Sequence, residues 1–183
     1  MGLCKDDGSR TPEYTAKDIS KIYQEHGHII FSRSLQHRML SVDGLSNKKY
    51  TEKGITSILD KYFGHVHLGT ALTHVLITSY DIQNREPFFF KSWRDNFQSV
   101  EMRDVAKATS AAPTYFEPAL VPIDGAVRAL IDGGIFINNP SVSAYVEAMK
   151  VFPGEDIKLI SIGTGEMIRP FSYDKAKNWG KVG

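Results

Sequence analysis

Val127-Arg128-Ala129-Leu130-Ile131-Asp132-Gly133-Gly134-Ile135-Phe136-Ile137-Asn138-Asn139-Pro140 is the stretch on which the fold turns. Val127, Ala129, Leu130 and Ile131 read as a short buried strand, and Pro140 to Phe152 reads as a helix. Asp132 is then a lone carboxylate at the carboxyl end of a strand, followed by two glycines that let the backbone turn sharply. In α/β folds that edge of the sheet is where ligands and chemistry collect, which makes Asp132 a candidate catalytic base. Asp-Gly is also the commonest kind of turn, in which the carboxylate only binds neighbouring amides, and the spacing alone favours that reading.

On the amino-terminal side, Thr15-Ala16-Lys17-Asp18 can cap a helix whose apolar stripe is Ile19, Ile22 and Tyr23 and whose end is Gly27. Ile55, Ile58, Leu59, Tyr62 and Phe63 predict a second helix closed by Gly64. Between them Leu35 to Lys49 reads as loop-rich connection, with a turn at Asp43-Gly44. Val75 to Ile82 is a β-branched and aromatic strand, turned by Arg85 and Glu86 into a second strand at Pro87 to Phe90. Glu101 to Ser110 predicts a helix facing Met102, Val105, Ala106 and Thr109 inward. Asn139 caps the next helix with Pro140 at its first position, and Val142, Tyr145, Val146, Met149 and Val151 form its apolar side up to Pro153-Gly154. Ile157 to Ile162 reads as another central strand. Helices alternating with strands predict an α/β fold of three layers, α/β/α, with a mostly parallel sheet covered on both faces.

With 183 residues, 42% of them hydrophobic, the chain is long enough for one sizeable core and does not demand two domains. Lys plus Arg is 22 against 21 for Asp plus Glu, a formal charge of +1, so no global field draws in nucleic acid. The single Cys4 excludes an internal disulfide and fits a reducing, cytoplasmic compartment. No apolar stretch reaches the ~20 residues that a bilayer span needs. The loop-like start at Lys5 to Pro12 and the abrupt close at Asn178 to Gly183 suggest a domain incomplete at both ends.

A base needs something to activate, yet the chain holds no Gly-x-Ser-x-Gly turn, the usual seat of a hydrolase serine. Gly44-Leu45-Ser46-Asn47-Lys48 fails at its last position. All six histidines (His26, His28, His37, His65, His67 and His74) precede Asp132, so a triad in the order Ser, Asp, His is not encoded. A Ser-Asp pair without histidine remains open, the carboxylate taking the serine proton directly. His65-Val66-His67 has a spacing that can chelate a metal, but no carboxylate or cysteine nearby in sequence completes a shell, and packing or surface histidines is the commoner reading. Gly163-Thr164-Gly165 lacks the lysine and hydroxyl of a phosphate loop and reads as a tight turn, which counts against a nucleotide-binding domain. Phe88 to Phe90 and Trp93 read as core.

Three linked blocks carry a resemblance. Ala108-Thr109-Ser110-Ala111-Ala112-Pro113-Thr114-Tyr115-Phe116-Glu117-Pro118, then Ile131-Asp132-Gly133-Gly134 with Asn138-Asn139-Pro140, then Ser161-Ile162-Gly163-Thr164-Gly165 resemble the patatin-like phospholipases. Tyr50 to Phe63, Val75 to Ile82 and Phe90-Lys91-Ser92 add to the likeness, which runs in the family's order over roughly residues 15 to 182. The resemblance implies a lipid acyl hydrolase with a Ser-Asp dyad, no metal and no organic cofactor. Asp132 matches the dyad's proton acceptor, and Gly133 and Gly134 complete its Asp-Gly-Gly motif. The family's glycine-rich oxyanion loop and Gly-x-Ser-x-Gly elbow match nothing here, so residues 1–183 are expected to be a partial patatin-like domain without its nucleophile-bearing part. The implied partners are a lipid or lysolipid acyl ester and, transiently, a membrane surface. The alternative is an inactive half-domain that acts by association.

Overall fold

In a computed structural model, the described residues are 11–31, 50, 52–165 and 172–173. The chain divides into two compact units, Met1–Pro140 and Ser141–Gly183. The expected connection at residues 35–49 and both chain ends fall outside the described residues.

The first unit opens on α1, Ala16–Ile30, started by a reciprocal cap in which Thr15 accepts from the Asp18 N–H and the Asp18 carboxylate accepts from the Thr15 N–H. Gly27 does not end it as expected; the helix continues for three more residues and stops where the Phe31 N–H bonds Gly27 O. The second helix, α2, spans Glu52–Phe63, buries Ile55, Ile58 and Phe63, and ends at Gly64 with φ +51. Then come β1 (Leu76–Asp81), β2 (Glu86–Lys91), the short α3 (Asp95–Gln98), α4 (Met102–Ser110), β3 (Ala119–Ile123) and β4 (Ala126–Asp132). On α4 the buried residues are Met102, Val105 and Ala108, while Ala106 and Thr109 are half-buried.

Among the described residues the sheet order is β2-β1-β4-β3, and all three pairings are antiparallel. The mostly parallel sheet expected from the alternation of elements is therefore wrong, while the α/β class stands. For the β1–β2 and β3–β4 pairs the reason is turn length, since parallel neighbours need a crossover of a dozen or more residues, whereas short turns force antiparallel pairing. Ile82 to Arg85, with Arg85 at φ +58, turn β1 into β2, so Glu86, expected in the turn, already belongs to the strand. Asp124 and Gly125, at φ +51 and +77, make a two-residue hairpin between β3 and β4. That hairpin and β3 itself went unread, although Asp-Gly between alternating apolar residues is a strong local signal. The strand expected at Ile157–Ile162 is also absent. Those residues pair with no strand among the described residues, and Leu159, Ile160 and Ile162 are exposed.

Val105 and Ala108 of α4 pack with Phe90, Val121 and Leu130 in one core, all five 0% exposed. α2 is clipped to α4 by Arg103 to Asp60 at 2.8 Å and by Lys107 to Glu52. Phe88, Phe90 and Phe97 stack edge to face in the core, whereas Phe89 and Trp93, also expected there, are half-buried and meet Phe136 and His74 instead. In the second unit α5, Ser141–Val151, has no buried residue, and Val142, Tyr145, Val146 and Met149 of its expected apolar side are exposed.

A buried carboxylate braces the β1–β2 turn and ties it to β4. The Asp81 carboxylate, fully buried, accepts from the amides of Gln83 and Asn84 at 2.9 and 3.0 Å, from Asn84 Nδ2 at 3.0 Å and from Arg128 at 3.1 Å. Burial pushes its pKa up, but the amide hydrogen bonds and the Arg128 guanidinium outweigh it and hold the carboxyl below its ordinary value. A depressed folded pKa contributes stability that is present above the unfolded pKa of about 3.9 and is lost as pH falls through the folded value. Asp81→Ala is expected to lower unfolding free energy by about 2–3 kcal/mol at pH 7. Its stability should also fall less steeply below pH 4 than that of the unsubstituted chain, as read by urea unfolding at a series of pH values.

Candidate active site

Asp132 is the last residue of β4 and stands opposite Ser79 of β1. Its backbone N–H bonds Ala111 O, at the carboxyl end of α4, at 3.1 Å. This bond joins strand tip to helix tip. Oδ1 accepts from the Gly134 N–H at 2.8 Å and caps a 3-10 turn at Gly133–Ile135. The turn reading is thus correct for one carboxylate oxygen. Among the described residues the other oxygen has no hydrogen-bond partner, and the half-buried side chain makes no ion pair, so it keeps lone pairs with which to accept a proton. In an antiparallel sheet there is no common carboxyl edge, so Asp132 occupies the end of its own strand and not a shared ligand-binding rim.

Gly133 is buried against the backbone of Thr78. A Cβ there would lie 2.6 Å from Thr78 Cβ and 2.7 Å from Thr78 C, and closer still to Thr78 Oγ1. No side chain fits, so the first glycine is required by close approach. A Cβ on the exposed Gly134 would meet side-chain atoms, Asn138 Oδ1 and Asp132 Oδ1 each at 3.3 Å and Asp132 Cγ at 3.8 Å. Asn138 Oδ1 and Asp132 Oδ1 thus both border the space over Gly134.

Three supporting residues were missed in the sequence. Ser79 Oγ donates to Ile131 O at 2.6 Å, and Thr109 Oγ1 donates to Thr78 O at 2.8 Å, fixing the strands on either side of the turn. Thr78, Ser79 and Thr109 carry no pattern of their own; only the paired glycines hinted that another backbone lay close. After α4 the segment 112–116 folds back with the Tyr115 and Phe116 N–H groups bonded to Ala112 O, and Thr114 takes φ +70, a conformation uncommon for a β-branched residue.

The remaining candidates lie elsewhere. Glu101 comes to His65, Nδ1 to Oε1 at 2.9 Å, a neighbour that sequence distance hid, but the described residues hold no cluster of three metal-ligating side chains. His26 Nε2 is 3.0 Å from the Tyr62 hydroxyl. Ser161 to Gly165 belong to the second unit and have no regular structure. No helix among the described residues is long and apolar enough to cross a membrane.

The chain belongs to the patatin-like phospholipase family, whose model matches residues 10–145. Among curated relatives, patatin-like protein 1 of Arabidopsis thaliana is 30% identical over 96% of this chain and 49% of its own length. Patatin-like protein 4 of the same plant is 30% identical over 94% of the chain and 48% of its own length. Probable inactive patatin-like protein 9, also of Arabidopsis thaliana, is 30% identical over 89% and 46%. The chain thus spans about half the length of the curated relatives it matches.

The two glycines should respond unequally to the same substitution. Gly133→Ala must displace the Thr78 backbone and is expected to cost about 2–3 kcal/mol. Gly134→Ala meets only movable side-chain atoms and should cost under about 1 kcal/mol. Denaturant unfolding of both variants measures the difference.

Proposed function

We propose that this chain supplies the proton-accepting carboxylate of a lipid acyl hydrolase that cleaves fatty acyl esters through a Ser-Asp dyad. The observation that carries the reading is the Asp132 carboxylate, with one oxygen tied to Gly134 and the other without a partner among the described residues, at a strand tip within the family match. The nucleophile comes from outside these residues, because the chain holds no Gly-x-Ser-x-Gly turn.

In the proposed reaction the serine oxygen attacks the ester carbonyl carbon as its proton passes to Asp132. The bond between carbonyl carbon and alkoxy oxygen breaks, and Asp132 returns the proton to the departing alcohol. Water then attacks the acyl-serine and gives its proton to Asp132. The fatty acid leaves as the serine takes that proton back. Gly134, by holding Oδ1, would keep the second oxygen turned toward the serine. Phospholipids and lysophospholipids are the substrates the family name favours, reached by transient contact with a lipid surface.

A second reading, an inactive half-domain that works by association, is favoured by one observation: some relatives at the same identity are named as probably inactive. One set of assays separates the two. The 183-residue chain alone is expected to show no hydrolysis of p-nitrophenyl butyrate above background. Joined to a Gly-x-Ser-x-Gly-bearing segment of an active relative, it should hydrolyse the ester, and Asp132→Asn should lower kcat by about 10²–10⁴-fold. Hydrolysis by the chain alone that disappears in Asp132→Asn would refute the claim that the serine comes from elsewhere. A joined protein that stays folded and inactive supports the second reading.

A further inference from the structure

We infer that Thr109 is a positioning residue for the Asp132 carboxylate, its hydroxyl holding the β1 peptide against which the Asp-Gly-Gly turn is packed. This rests on the hydrolase reading above and adds to it a residue, outside the turn, that sets how well the base is aimed. The β1–β4 ladder ends at the pair of Ser79 and Asp132. Bonded and non-bonded pairs alternate along an antiparallel ladder. The Ile82 N–H bonds Ala129 O at 3.1 Å, so bonded pairs recur at Tyr80 with Ile131 and, one step past the ladder, at Thr78 with Gly133. There the pattern breaks. Gly133 turns away and its carbonyl accepts from the Phe136 and Ile137 N–H groups at 3.1 and 3.0 Å, while Thr78 O takes a hydrogen bond from Thr109 Oγ1 at 2.8 Å. A hydroxyl of α4 thus replaces the ladder bond that the turn gives up.

A threonine inside a helix commonly turns its hydroxyl back to a carbonyl three or four residues earlier. Thr109 sends its one hydroxyl proton across to a strand instead. Close contact makes that hold matter. A Cβ on Gly133 would come within 2.7 Å of the Thr78 carbonyl carbon, the group whose oxygen Thr109 holds. A tilt of that peptide therefore displaces Gly133 and, one residue away, Asp132. Ala111 O, at the same end of α4, accepts the Asp132 N–H at 3.1 Å, so the helix end grips the turn at two points. Ser79 does not play this part, because its hydroxyl bonds Ile131 O, a carbonyl already inside the ladder opposite Tyr80. Misplacing a reacting group by about 1 Å costs on the order of 10²-fold in rate, and the loss falls on kcat where the group acts in the transition state.

Two measurements test this, and one needs no activity. In the 183-residue chain, amide hydrogen exchange read by NMR should be at least about tenfold faster at Asp132 and Gly134 in Thr109→Val and in Thr109→Ala, and within about twofold of the original in Thr109→Ser, while the β3 amides keep their rates. In the chain joined to a Gly-x-Ser-x-Gly-bearing segment, Thr109→Val should lower kcat for p-nitrophenyl butyrate by about 10–100-fold with KM within about twofold, and Thr109→Ser should stay within about threefold of the original kcat. Thr70→Val, which removes a hydroxyl-to-carbonyl bond of the same 2.8 Å length before β1, should change neither constant. Unchanged exchange at Asp132 and Gly134 in a folded Thr109→Val or Thr109→Ala chain would overturn the inference. So would an unchanged kcat in the active joined protein, an effect confined to KM, or a Thr109→Ser variant as impaired as Thr109→Val. A folded joined protein that is inactive, or whose activity survives Asp132→Asn, refutes the hydrolase reading alone, since exchange in the 183-residue chain still decides whether Thr109 holds the turn.

Discussion

The hydrogen bond from the Asp132 N–H to Ala111 O is the joint on which the arrangement of the site depends. It fastens the end of β4, which carries the carboxylate, to the end of α4. Gly133 makes the joint possible. Because it lacks a side chain, the turn settles directly onto Thr78, whose carbonyl is held in turn by Thr109 of the same helix. Strand, helix and turn thereby constrain one another, and the carboxylate inherits that rigidity without being buried in an ion pair.

The contrast with Asp81 shows what makes Asp132 different. Both are aspartates at strand ends with Asx-type bonds to the residues that follow. Asp81 is wholly enclosed, and both of its oxygens are spent on amides and a guanidinium. It stabilises a hairpin and has no capacity left for a ligand. Asp132 spends one oxygen on the turn and keeps the other. A local motif of aspartate and turn therefore does not decide between structure and chemistry; the number of committed lone pairs does.

Much of the local structure was legible in the sequence, because caps, stripes of apolar residues and glycine stops act within a few residues. Thr15 with Asp18 gave the start of α1, and the spacing from Ile55 to Phe63 gave α2. The Asp-Gly-Gly stretch was placed correctly at a strand end. Strand direction was misread, since it depends on which strands meet, and the Asp124-Gly125 hairpin that should have forced antiparallel pairing was overlooked. The apolar run at Ile157–Ile162 has strand composition without a partner strand among the described residues, and composition alone supplies no ladder. At the site, the carboxylate and glycines were readable as a motif, while Thr78, Ser79 and Thr109 became visible only once the strands were paired.

The most direct test of the central claim follows the activation of the serine itself. In the chain joined to a Gly-x-Ser-x-Gly-bearing segment, the rate at which a fluorophosphonate probe labels that serine reports how readily its proton is removed. Asp132→Asn should slow labelling by about 10²-fold or more while leaving the unfolding midpoint unchanged. Labelling at the original rate in a folded Asp132→Asn protein would contradict the claim.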